Sequence, residues 1–94
     1  MNFDQYPEVN VLNVSRGFAR SGLPYKITPF RFTLSNGRKC VIKEIRQFHS
    51  ESSGKGNQFH YTVKCKDGLF YRLVFDTSSL IWRLLEGEEH SHRF

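Results

Sequence analysis

The residues of this 94-residue chain with types suited to chemistry are four histidines, two cysteines and a glycine-flanked lysine. His90-Ser91-His92, beside Glu88 and Glu89, is the densest run of metal donors. In a short polar tail it offers weak chelation at best, and a solvated chain end is the stronger reading. His49 falls at a strand end and His60 on an outward-facing position, neither with an evident ligand partner, so no metal is expected. Cys40 and Cys65 lie far apart with no Cys-x-x-Cys, which supports neither a zinc site nor a disulfide framework. Gly54-Lys55-Gly56 lacks the full glycine spacing, the following Ser or Thr and the helix of a phosphate loop, and reads as a flexible hairpin loop. No serine sits in a nucleophile elbow, and no two acids share a strand face for acid–base work. The expectation is a non-enzymatic protein without a cofactor.

Charge supplies the remaining functional signal. Net charge is +5, with 14 Lys and Arg against nine acids. The acids Glu86, Glu88 and Glu89 crowd the C-terminus, so the preceding chain is more basic still. Strand parity gathers His60, Thr62, Lys64, Lys66, Phe70 and Arg72 on one outward surface, with Arg31, Lys39 and Lys43 of a neighbouring hairpin as further members. Cations beside an exposed ring suit phosphates and stacked bases. The bland alternative is a solvated sheet face whose lysines prevent edge-to-edge pairing. Phe70 and Val74, apolar on the same outer parity, suggest either a cover from the N-terminal segment or a patch for a protein partner.

The elements that must hold these residues are strands. Aromatics make up 15% of the chain, including nine Phe and four Tyr, and each buries on the order of 150–250 Å². Asn36-Gly37 and Asp67-Gly68 lie between apolar runs, a strong hairpin signal. A three-residue loop Lys66-Asp67-Gly68 pairs Val63 with Tyr71, Tyr61 with Leu73 and Phe59 with Phe75, apolar to apolar throughout. A two-residue loop would oppose Val63 to Arg72. The same grammar, with loop Ser35-Asn36-Gly37, pairs Phe32 with Cys40 and Phe30 with Ile42. Both loops call for a left-handed glycine and a bulge.

Beyond Gly37 the apolar phase changes between Ile42 and Ile45, which predicts a bulge near Lys43-Glu44. Residues 41–49 also fit helical spacing, although a hairpin partner and β-branched residues favour a bent strand. If that strand pairs with the one starting at Phe59, Cys65 falls near Ile42 and both thiols face the core. Residues 50–57 read as a polar loop. Leu80, Trp82 and Leu84 return against Leu73 and Phe75. Val9-Asn10-Val11 starts a sixth strand, residues 15–24 read as irregular, and Pro29 marks an edge or bulge position. The expected fold is mainly β: a five- or six-stranded antiparallel meander curled into a small open barrel. The alternative is a meander sheet capped by a short N-terminal helix. One β-rich domain spans 1–87, followed by a flexible tail over 88–94. No apolar run is long enough to cross a bilayer and no leader pattern is present, which points to a cytoplasmic location.

Pro29-Phe30-x-Phe32, Gly37-Arg38, Val41, Glu44, Phe48, Tyr61-x-Val63, Gly68, Tyr71-x-Leu73, Asp76 and Trp82-x-Leu84 together resemble a family of small, strand-rich bacterial proteins of uncharacterised function. The likeness covers about residues 24–85. It implies a bacterial, cytosolic accessory protein and assigns no functional residues. The sequence thus points to a non-enzymatic binding or accessory module acting on a protein partner. The alternative is a small basic nucleic-acid-binding domain that uses the Lys/Arg/Phe outer face.

Overall fold

A computed structural model describes residues 6–15, 27–54 and 56–86. The linker over 16–26 and the tail over 88–94 lie outside them. Six strands follow in chain order: β1 (Asn10–Ser15), β2 (Ile27–Thr33), β3 (Lys39–Ser53), β4 (Gly56–Cys65), β5 (Phe70–Asp76) and β6 (Ile81–Glu86). They form one antiparallel meander sheet in sequence order, curled into a half-barrel. Among the described residues there is no helix, and hence none long and apolar enough to cross a membrane.

The two glycine hairpins set the register. Cys65 N–H donates to the Leu69 carbonyl and Gly68 N–H to the Cys65 carbonyl. Gly68 sits at φ 86 and Gly37 at φ 88, backbone that a Cβ disfavours. Val63↔Tyr71, Tyr61↔Leu73 and Phe59↔Phe75 follow, as does Phe32↔Cys40 in the first hairpin. A one-residue slip would turn the buried set to solvent, so this pairing is strongly specified.

β3 is a single bent strand, not a helix. Its register against β4 shifts between Ile42 and Glu44, where the sequence predicts a bulge, and again between Ile45 and Gln47. The two bulges let one 15-residue strand serve β2 at its start and β4 along the rest. Two expectations along it need correction. The polar stretch 50–57 is not an open loop: ladder pairs run on from Ser50↔Phe59 to Ser53↔Gly56. Phe30 does not pair with Ile42 inside. Leu12 faces Arg31 while the next residue, Asn13, faces Pro29, so Phe30 is the extra residue of a bulge and is turned outward, 41% exposed. Pro29 is buried in its place, at the kind of position where a missing N–H is tolerated.

The core is aromatic and continuous. Phe32, Tyr61, Val63, Tyr71, Leu73, Phe75 and Trp82 are buried with Cys40 and Cys65. Phe32 meets Tyr71 edge-on with centroids 5.0 Å apart, and Trp82 packs on both Tyr61 and Phe75. Such pairs add about 0.5–1.5 kcal/mol each beyond area burial. The Tyr61 hydroxyl reaches from β4 to the Ile27 carbonyl of β2, tying two non-adjacent strands across the interior. β6 pairs as expected through Leu73↔Leu84 and Phe75↔Trp82. Leu80 instead belongs to the turn, at φ 61 and exposed. The chain before β1 runs along β6: Val9 N–H donates to the Trp82 carbonyl, and Leu84 N–H to the Pro7 carbonyl. These bonds draw the two ends of the meander together.

Candidate functional site

The convex side of β3–β5 carries the side chains that point away from this core. Phe70, at the start of β5, is 37% exposed. Lys64 lies opposite it on β4 with its Nζ 5.8 Å from the ring centroid. Arg46 of β3 places its guanidinium carbon 5.6 Å from the same centroid. Both distances fall within cation–π range. Arg72 follows Phe70 on the same side of β5, opposite Thr62.

The bulge after Ile42 extends the row. Lys66 N–H donates to the Val41 carbonyl, Val41 pairs with Arg31, and Lys39 with Thr33. Arg31, Lys39, Lys43, Arg46 and Lys66 are all exposed, while Thr62, Lys64 and Arg72 are half-buried. Two acids border the row: Glu44 pairs with Lys64 in register and lies 3.8 Å from Arg46, and Glu86 of β6 is the register partner of Arg72. Eight of the nine residues singled out from the sequence are thus at least partly open to solvent. The ninth, His60, is buried at 7%. Val74 is buried as well, at 2%, so Phe70 and Val74 do not form a continuous apolar patch.

Arg46 was not foreseen. The sequence offers the first phase change in β3 but no marker for the second, and that second bulge brings Arg46 to Phe70.

A further cluster lies at the far end of the same side. His49 and His60 are direct cross-strand partners, with rings stacked at 4.4 Å and 9° between planes. Glu51, two residues beyond His49, sits 3.1 Å from His49 Nε2 and 3.8 Å from His60 Nε2. Burial, and next the neighbouring His49, hold the His60 imidazole below its ordinary pKa; Glu51 opposes this in part. The expectation that neither histidine has a partner is therefore revised. The signal was available: once Phe48 lies opposite Tyr61, the next pair is His49 with His60, and strand alternation brings Glu51 to the same side. Reading 50–57 as a loop hid it.

Two other polar features are structural in character. Between the hairpin tips, Arg38 Nη2 bonds the Tyr71 hydroxyl, which lies 3.2 Å from Asp67 Oδ2; Arg38 also meets Asp67 at 3.2 Å. Cys40 Sγ lies 3.7 Å from that hydroxyl. Burial first, then Cys40, pushes Tyr71 well above the usual phenol range, and burial pushes the Cys65 thiol up to about 12. Groups held this firmly in their neutral forms are poor nucleophiles. On the opposite side, a cleft of about 420 Å³ opens between β1 and the β5–β6 hairpin, lined by Asn10, Val11, Asn13, Leu80 and Trp82 among others.

No protein-family model, curated protein or solved structure matches the chain.

Proposed function

We propose that this protein is a small, non-enzymatic binder of single-stranded nucleic acid, acting through the convex side of β3–β5. The observation that carries the reading is Phe70, half-exposed between the Lys64 and Arg46 cations. Arg72 stands beside it, and Lys66, Lys43, Lys39 and Arg31 extend the row. A flat ring among cations is the pairing that single strands require: phosphates meet Lys and Arg, and a base stacks on the ring at about 1–3 kcal/mol per base. A stacked base would displace one cation from the ring toward a flanking phosphate. Stacking and phosphate contacts do not depend on base identity, so the reading is sequence-tolerant binding.

The test is fluorescence anisotropy with a labelled oligo-dT of about 15 nucleotides, near the upper site size of one small barrel, at low salt. Phe70→Ala is expected to weaken binding by about tenfold, the equivalent of losing one stacked base. No binding by the wild type, or an unchanged affinity in Phe70→Ala, sinks the proposal.

A protein partner is the second reading. Leu12, Val14 and Phe30, exposed at 57%, 43% and 41% on β1 and β2, favour it. Concentration-dependent association in sedimentation velocity, abolished by Leu12→Glu, would support a second copy as that partner. A monomer at every concentration would remove the second copy.

A further inference from the structure

We propose that His49, Glu51 and His60 form a binding site for a divalent late transition-metal ion of the zinc class. The site would have three protein ligands and a fourth position open to water. It lies apart from Phe70 and does not depend on the nucleic-acid reading.

The donor set comes first. Two imidazoles and one carboxylate suit zinc and its neighbours, and three-ligand sites of this composition leave a coordination position free. One ligand atom from each residue lies within 4.8 Å of the other two. A tetrahedral ion with bonds of about 2.0–2.2 Å needs donors about 3.3–3.6 Å apart. His49 Nε2 to Glu51 Oε2 is already 3.1 Å, and His60 Nε2 to Glu51 Oε1 is 3.8 Å. The carboxylate therefore already sits within reach of both rings.

The backbone under the site is fixed. Ladder pairs continue on both sides, from Phe48↔Tyr61 to Ser53↔Gly56, so His49 and His60 are presented by adjacent paired strands rather than by a loop. His60 is buried and positioned, while the side chains of His49 and Glu51 are 52% and 55% exposed. That division matters because a metal lies in the plane of each ring it binds, so two parallel rings must splay to share an ion. His49, with its side chain 52% exposed, has the solvent room to turn. Of the charges that face His60, Arg72 works against a bound cation and Glu51 works for it.

The test is zinc titration of the untagged full-length protein by calorimetry, repeated with Co²⁺ to read ligand type from its visible spectrum. His49→Ala and Glu51→Gln change exposed side chains and leave the core intact. A third protein, His90→Ala with His92→Ala, controls for chelation by the C-terminal histidines. The expected result is one equivalent of zinc in the wild type and in the tail variant. Affinity should fall by more than the ~10-fold that loss of an outer-shell partner costs in each site variant. The cobalt spectrum should lack thiolate charge transfer. Absence of binding overturns the proposal. So does loss of binding in the tail variant alone, wild-type affinity in His49→Ala and Glu51→Gln, or a thiolate band that moves the ion to Cys40 and Cys65.

Discussion

Cys65 gives the fold a specific alkaline weakness. Its side chain is 1% exposed in the core, and burial, with a smaller contribution from Cys40 and then Asp67, raises its pKa from 9.0 to about 12; Arg38 opposes this. The unfolded thiol loses its proton near 9, while the folded one keeps it. Between those values the unfolded state binds fewer protons than the folded state, so stability falls as pH rises. The contribution is complete below pH 9 and lost by about 12. Each pH unit in that window costs about 1.4 kcal/mol, so the whole span approaches ~4 kcal/mol, a large part of the ~5–15 kcal/mol of an ordinary domain. Other groups ionise in the unfolded chain over the same range, so the comparison must be with Cys65→Ala. That variant starts lower at neutral pH because it leaves a cavity, but its stability should decline less steeply. Urea unfolding at unit steps from about pH 8 to about pH 11 reads both slopes. Parallel curves for wild type and variant would refute the reasoning. So would rapid alkylation of Cys65 in the folded protein near pH 8, because a buried protonated thiol does not react.

The two phenylalanines of β2 separate inside from outside. Phe32→Ala should cost about 3–5 kcal/mol, and Phe30→Ala no more than ~0.5 kcal/mol, both by urea midpoint; equal effects would contradict the bulge at Pro29. Among the glycines, Gly68 and Gly54 both have room for a Cβ, but only Gly68 holds a positive φ, 86. Gly68→Ala should therefore lose about 1–2 kcal/mol, while Gly54→Ala should be neutral or gain a few tenths. Thermal melts of the two variants decide it, and a destabilised Gly54→Ala would show that its backbone conformation is misjudged.

Much of the fold was legible because strand periodicity and turn chemistry agree. At the Asp67-Gly68 hairpin, a single loop length matches Phe59, Tyr61, Val63 and Cys65 to apolar partners, so the register follows from the side chains alone. The Ile42/Ile45 phase change likewise exposed the first bulge. What was not legible lies where one residue of slack is absorbed without a marker. Phe30 reads as core by alternation, and Pro29 restricts it to a bulge without saying which neighbour turns out. Arg46 depends on a second shift between Ile45 and Gln47 that no Gly or Pro announces. The polar composition of 50–57 mimics a loop because both strand ends lie at the exposed rim, where hydrophobic alternation has no core to report. The His49–Glu51–His60 group fell inside that blind segment. The Phe70 face was read largely from parity, and its boundary moved when His60 and Val74 proved buried.

The salt dependence of oligo-dT binding tests the central claim most directly. If Arg46, Lys64, Lys66 and Arg72 each neutralise a phosphate, log K should fall with log salt at a slope of about −0.7 per contact, near −3 in all. Lys64→Ala with Lys66→Ala should reduce the slope to about −1.4 while leaving the urea midpoint close to wild type. A slope near zero in the wild type, or the same slope in the double variant, would contradict the assignment of the β3–β5 face as a nucleic-acid-binding surface.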